Sequence, residues 1–168
     1  DEFFENEALV NEEMLDLDDF TTAALETTKK DGLCYFLPVL ASTCVLYYRI
    51  DYFEKAGIDG PPTTWDELVE VCEKLKNCPE LQEMGVAPLG LRGSKAFGSA
   101  GWILPMVTHS YGAKVYKDFP NDMTPTVNSP EFVQCVQFYS DLLINYGIEG
   151  AVTCSYEDII LSAQQGKV

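Results

Sequence analysis

The chain has 168 residues, with 27 acidic against 11 basic side chains and a net charge of −16. So acidic a surface repels phosphate backbones and anionic bilayers, which argues against nucleic acid as a partner. A hydrophobic content of 46% is enough for a sizeable core and excludes disorder throughout, and no run reaches the ~20 apolar residues of a membrane-spanning helix.

The acid is densest at the start, where residues 1–31 hold 11 acidic and 2 basic side chains. Scattered apolar residues give residues 1–18 a loosely helical spacing, read as a solvated face rather than a metal site. Asp18 or Asp19 suits the N-cap of a helix through Leu25 and Glu26, with Lys29 and Lys30 in its last turn. Asp31-Gly32 is a turn signal. Two apolar, aromatic and β-branched runs follow, Leu33 to Leu40 and Cys44 to Ile50. Each reads as a buried strand, with Pro38 and Ala41-Ser42-Thr43 marking a bend or a sheet edge between them.

A short helix starting at Asp51 stops at Gly57. Thr64 then serves as N-cap for a helix to about Asn77, with Glu67 three residues on to complete a capping box. Its apolar positions Trp65, Leu68, Val69, Cys72 and Leu75 recur at helical spacing. Val86 to Arg92 reads as a third strand and 93–95 as a loop. Ala96 to Tyr111 is an apolar helix ended by Gly112, and 113–128 a loop or weak hairpin. Ser129-Pro130 opens a long helix with Ser at N-cap and Pro at N1. Phe132, Val133, Val136, Tyr139, Leu142 and Leu143 form its stripe, and Gly147 ends it. A last helix, about Tyr156 to Gln165, is capped by Gly166, and Val168 looks like the opening residue of a strand. With Asp1 rather than Met at the other end, this suggests an internal fragment.

This order predicts an α/β layer, helices covering a mostly buried sheet. In such sheets ligands bind beyond the strand C-termini, here in loops 41–43 and 92–98. The six cysteines, Cys34, Cys44, Cys72, Cys78, Cys135 and Cys154, have no CxxC spacing. No structural zinc site and no other metal or cofactor is therefore expected; buried free thiols or disulfides remain open.

Asp31-Gly-Leu-Cys-Tyr-Phe-Leu-Pro-Val, Ser42-Thr-Cys-Val-Leu-Tyr-Tyr-Arg-Ile-Asp-Tyr-Phe-Glu-Lys-Ala-Gly-Ile and Pro61-Pro-Thr-Thr-Trp-Asp-Glu-Leu stand in order along the chain. Gly101-Trp102, Val127-Asn-Ser-Pro-Glu and Ala163-Gln-Gln-Gly-Lys-Val follow. Together they resemble family 1 extracellular solute-binding proteins, the sugar receptors of ABC importers that include maltose-binding protein. The resemblance implies the type II periplasmic-binding-protein-like fold, two α/β lobes joined by hinge strands. It places residues 1–40 in part of the first lobe and its hinge strand. Residues 41–168 become most of the second lobe, lacking its C-terminal end. Six cysteines depart from a family usually poor in them.

Trp102 is the first candidate ligand contact, because a sugar's C–H face stacks on an aromatic plane. Ser94, Lys95 and Phe97 stand at positions like the family's ligand-contacting loop. Ser42 and Thr43 stand at the bend that lines the family's cleft, where their hydroxyls can bond a polyol. Tyr47 is a further contact, though one that also suits packing in a sheet, whereas Trp65 reads as a core anchor and His109 as structural.

The resemblance implies a periplasmic or extracellular receptor for a sugar or polyol, serving ABC permease subunits as a monomer. It would meet the membrane only through the permease or a lipid anchor, with a cell-surface lipoprotein one form of this. A ligand-sensing ectodomain of a signalling receptor is the alternative. A carboxylate-based hydrolase is the enzymatic one, and the chain carries no GxSxG, P-loop or HExxH motif to favour enzymatic chemistry.

Overall fold

The computed structural model describes residues 19–30, 33–40, 42–95 and 99–168. The expectations for residues 1–18 and for the Asp31-Gly32 turn lie outside them. The chain divides into two units, Asp1–Thr43 and Cys44–Val168.

In the first unit α1 spans Thr22–Glu26. Its N-cap is Thr21, whose Oγ1 accepts the Ala24 N–H at 3.4 Å, so the helix starts later than an aspartate cap would place it. Lys29 and Lys30 leave the helix and form β1 (Lys29–Lys30), antiparallel to β2 (Leu33–Cys34), with Lys29 opposite Cys34. The buried Thr28 holds this corner together: its hydroxyl donates to the Leu25 carbonyl at 2.7 Å and lies 3.3 Å from the Cys34 sulfur. The strand expected over 33–40 goes no further than Cys34. Beyond the Tyr35 N–H bond to Thr28 the run leaves the ladder, and Val39 is 95% exposed. Pro38 has no N–H to extend it.

The second unit is mainly helical. Its elements are α2 (Ile50–Lys55), α3 (Trp65–Asn77), α4 (Pro79–Glu83), α5 (Ser99–Ser110), α6 (Pro130–Tyr146) and α7 (Tyr156–Gln164). A hairpin of β3 (Tyr116–Asp118) and β4 (Asp122–Pro125) lies between α5 and α6. The local signals act at the helix ends. Thr64 Oγ1 accepts the Glu67 N–H at 3.1 Å, and Ser129 Oγ accepts the Phe132 N–H at 3.2 Å. Glu67 does not close the box on Thr64; its carboxylate reaches back one residue further, to the Thr63 N–H at 2.6 Å and the Thr63 hydroxyl at 2.8 Å. Gly57, Gly112 and Gly166 follow their helices at φ near +65°, a conformation that costs glycine little. Unforeseen was α4, where Pro79 stands at the first helical position and starts a helix instead of ending one.

Three packed clusters make the core. Tyr52 and Phe53 of α2 meet Ile58, Leu75, Cys78 and Leu81. Leu68 and Cys72 of α3 meet Leu89 and, from α6, Leu142 and Tyr146. Val107 of α5 meets Cys135, Tyr139 and Leu143 of α6 with Ala151. The helix α6 thus bridges two clusters through positions three and four apart, and each such side chain contributes roughly 1.5–3 kcal/mol by leaving water. Trp65 packs edge-on against Phe138, centroids 5.6 Å apart, as a core anchor should. All six cysteines are free, with Cys72, Cys78, Cys135 and Cys154 buried.

The expected strands of this unit are largely unladdered among the described residues. Residues 44–48 lead toward α2 with no backbone hydrogen-bond partner among the described residues, and Val45, Leu46, Tyr47 and Tyr48 are exposed. Residues 86–92 make one parallel bridge, Leu89 to Gly147, a bond from the Ala87 N–H to the Lys167 carbonyl at 2.8 Å, and a local one from the Val86 N–H to the Leu81 carbonyl at 2.9 Å. Apolar, β-branched composition favours extended chain, but a ladder also needs a neighbouring backbone.

Candidate functional site

The segment from Arg92 to Lys95, between the Leu89 bridge and α5, is fastened at three points. The Tyr139 hydroxyl, from the buried face of α6, donates to the Arg92 carbonyl at 2.5 Å. Burial pushes that phenol up to about 12, so it remains a donor at neutral pH. The Ser94 N–H bonds the Cys154 carbonyl at 3.0 Å. Between them Gly93 lies against the 151–152 backbone so closely that a Cβ would sit 2.4 Å from the Ala151 carbonyl oxygen. This close approach explains the glycine.

The fastened segment presents polar and cationic groups. Lys95 is exposed, and the Arg92 guanidinium lies 5.3 Å over the Tyr156 ring, in cation–π range. On the far side of residues 96–98, Trp102 ends the first turn of α5 and is 57% exposed. A large aromatic left this open, in a helix whose Val107 is buried, offers a free apolar face. The Cys44 thiol donates to the Trp102 carbonyl at 3.8 Å, which brings the first residue of the second unit beside that turn.

The sequence-derived candidates fall into three groups. Ser94, Lys95 and Trp102 flank one loop of the second unit. Ser42 and Thr43 end the first unit with exposed side chains. Tyr47, 90% exposed, instead lines an apolar cavity of about 430 Å³ that has neither Trp102, Ser94 nor Lys95 in its walls. Phe97 lies outside the described residues. Sequence reasoning missed Arg92 and Tyr156 as neighbours, and Tyr139 as the anchor. No spacing signal links residues 47 and 64 positions apart; the only hint was that Tyr139 falls on the buried stripe. Among the described residues no group of three or more His, Cys, Asp or Glu side chains could hold a metal ion. The groups present, an open aromatic face in α5 and hydrogen-bonding and cationic side chains in 92–95, are those of non-covalent recognition.

The model of the bacterial extracellular solute-binding protein family matches residues 1–167. The chain belongs to that family. A mannitol-binding protein of Pseudomonas aeruginosa is 28% identical over 152 residues, 90% of this chain and 33% of the relative. An sn-glycerol-3-phosphate-binding periplasmic protein of Agrobacterium fabrum is 33% identical over 117 residues, 68% of this chain and 26% of the relative. Among solved structures, an ABC transporter solute-binding protein of Agrobacterium vitis with bound D-mannitol superposes with TM-score 0.62 at 30% identity. It covers 71% of this chain and 27% of that one. A sugar transporter protein of Arthrobacter chlorophenolicus with bound laminaribiose gives TM-score 0.67 at 23% identity, 89% of this chain and 36% of that one, and speaks to fold alone. The fold is therefore that of the periplasmic binding proteins. The chain spans about a quarter to a third of the length of these relatives.

Proposed function

We propose that the chain is part of a solute-binding receptor that captures a sugar or polyol outside the cytoplasmic membrane and delivers it to the permease of an ABC importer. The observation that carries the reading is the open Trp102 in the first turn of α5, which follows the fastened Arg92–Lys95 segment along the chain. Stacking on the indole and hydrogen bonds from Ser94 and Lys95 would hold a hydroxyl-rich solute. Residues 1–40 act as part of one lobe and the hinge strand, and residues 41–168 as most of the other. Binding shifts the population from open to closed lobes and converts no substrate. The receptor works as a monomer in the periplasm or at the cell surface, reaching the membrane through the permease or a lipid anchor. Its relatives are named for mannitol and for glycerol phosphate, which places polyols first among the solutes to try.

Saturation-transfer NMR on the 168-residue chain with D-mannitol, sn-glycerol 3-phosphate and laminaribiose tests the reading. Ligand signals are expected from at least one solute, lost in Trp102→Ala and kept in Trp65→Phe. Silence with all three solutes, or signals indifferent to Trp102, overturns the site. Calorimetry is expected to find affinity weaker than micromolar, because a second lobe completes the cleft. Micromolar affinity of the chain alone overturns the division into lobes.

A further inference from the structure

The chain has two arginines, and they are used differently. Arg49 matches its fork within the protein, donating from Nε and Nη2 to the two carboxylate oxygens of Asp51 at 2.9 and 2.6 Å. Arg92 is half-buried, yet among the described residues its guanidinium makes no hydrogen bond and no ion pair. The group that steadies it is the Tyr156 ring, 5.3 Å from Cζ. A ring face meets the charge and leaves the planar set of five N–H donors unmatched. The backbone of Arg92 is fixed as well, by the Tyr139 hydroxyl on its carbonyl and by the close approach of Gly93 to 151–152. A half-buried donor set that is steadied but unmatched inside the protein calls for an acceptor from outside.

The surroundings decide which acceptor. A guanidinium fork suits two neighbouring oxygens, whether of a carboxylate, a phosphate or hydroxyls on adjacent carbons. An anion is disfavoured here. The net charge of −16 repels it, and Glu157 and Asp158 follow Tyr156 in the first turn of α7. Glu157 is held below its ordinary range first by its own backbone N–H and then by the Ser155 hydroxyl, with Arg92 adding less. Asp158 is held down by the Ser155 N–H and hydroxyl. Both are therefore charged at neutral pH and offset the two cations of the segment, Arg92 and Lys95. What remains for a solute is directional donors with little net positive charge. We infer that Arg92 sets the specificity of the receptor, donating two N–H groups to hydroxyls on adjacent carbons of an uncharged polyol and disfavouring a phosphorylated one. This rests on the reading of 92–95 and Trp102 as the solute site, and it names the solute class of that site.

The experiment follows the NMR signal of the Arg92 Nε–H in the 168-residue chain as D-mannitol or sn-glycerol 3-phosphate is added. A saturable shift with mannitol is expected. Mannitol should bind about tenfold or more tighter than glycerol phosphate, with an affinity nearly unchanged up to about 0.3 M salt. Arg92→Lys keeps the charge and the stem but not the fork, and should weaken mannitol about tenfold. The Arg92 signal of the parent chain needs no variant, so poor folding of Arg92→Lys does not spare the idea. Mannitol binding that Trp102→Ala abolishes, but that neither shifts the Arg92 signal nor weakens in Arg92→Lys, overturns the inference and leaves the solute site standing. Tighter binding of glycerol phosphate that salt weakens steeply makes Arg92 an anion contact and also overturns it. Silence with both solutes overturns it too, and silence with laminaribiose as well removes the solute site itself.

Discussion

The hydroxyl of Tyr139, buried in α6, is hydrogen-bonded to the backbone carbonyl of Arg92, 47 residues earlier and at the root of the candidate binding loop. One core residue of a helix thereby sets the path of a segment that shares no secondary structure with it. Tyr139→Phe keeps the ring and removes the bond. A loss of about 1–2 kcal/mol in urea unfolding is expected, since a carbonyl beside a buried site loses its donor. Amide exchange at 92–95 should rise with it. An unchanged urea midpoint would show that the bond does not matter.

Gly93 is held by space rather than by its φ. Gly93→Ala puts a methyl group 2.4 Å from the Ala151 carbonyl oxygen and 2.5 Å from the Val152 Cα, both backbone and unable to step aside cheaply. A destabilisation of about 2 kcal/mol is expected. Gly60→Ala, where nothing lies within 4 Å, is the control and should leave the unfolding midpoint nearly unmoved.

The Glu67 carboxylate is held below its ordinary range chiefly by the Thr63 N–H, then by the Thr63 hydroxyl. Its folded pKa lies under the unfolded value of about 4.3, so its contribution is present above that pH and lost as pH falls through the folded value. Glu67→Gln is expected to make the fall of stability with acid shallower below about pH 4, followed by urea unfolding across pH. An identical acid limb in the variant would contradict this.

Thiol labelling should sort the cysteines. Burial, and to a lesser degree Glu73, push the Cys72 thiol up to about 12, so it is protonated as well as shielded at pH 8. Cys44 is exposed. An aromatic disulfide reagent is expected to modify Cys44 first and Cys72 only with unfolding. Cys44→Ser should abolish the fastest phase. Cys72 reacting early would refute the packing of α3 against α6.

Helices were legible in the sequence because their signals are local. Thr64, Ser129 and the glycines after α2 and α5 act within four residues of the ends they define. Even there the detail was tertiary-free but fine-grained: Glu67 chose Thr63, and Pro79 began a helix. The candidate site was legible only in its chemistry. Trp65 and Trp102 both stand in the first turn of a helix, yet one packs on Phe138 and the other stays open. That difference depends on where α6 lies, which no local pattern records.

The sequence by itself determined the helix ends, the acidic surface and the resemblance to solute-binding proteins, all properties of residue type and short spacing. The tertiary structure alone decided which apolar runs find a ladder and which side chains flank the loop. It joined Ala87 to Lys167 and Leu89 to Gly147, and left the backbone of 45–48 without a hydrogen-bond partner among the described residues. Hydrophobic burial is non-directional and can be read from composition, whereas a backbone hydrogen bond between distant residues exists only once the chain has folded to bring them within about 3 Å.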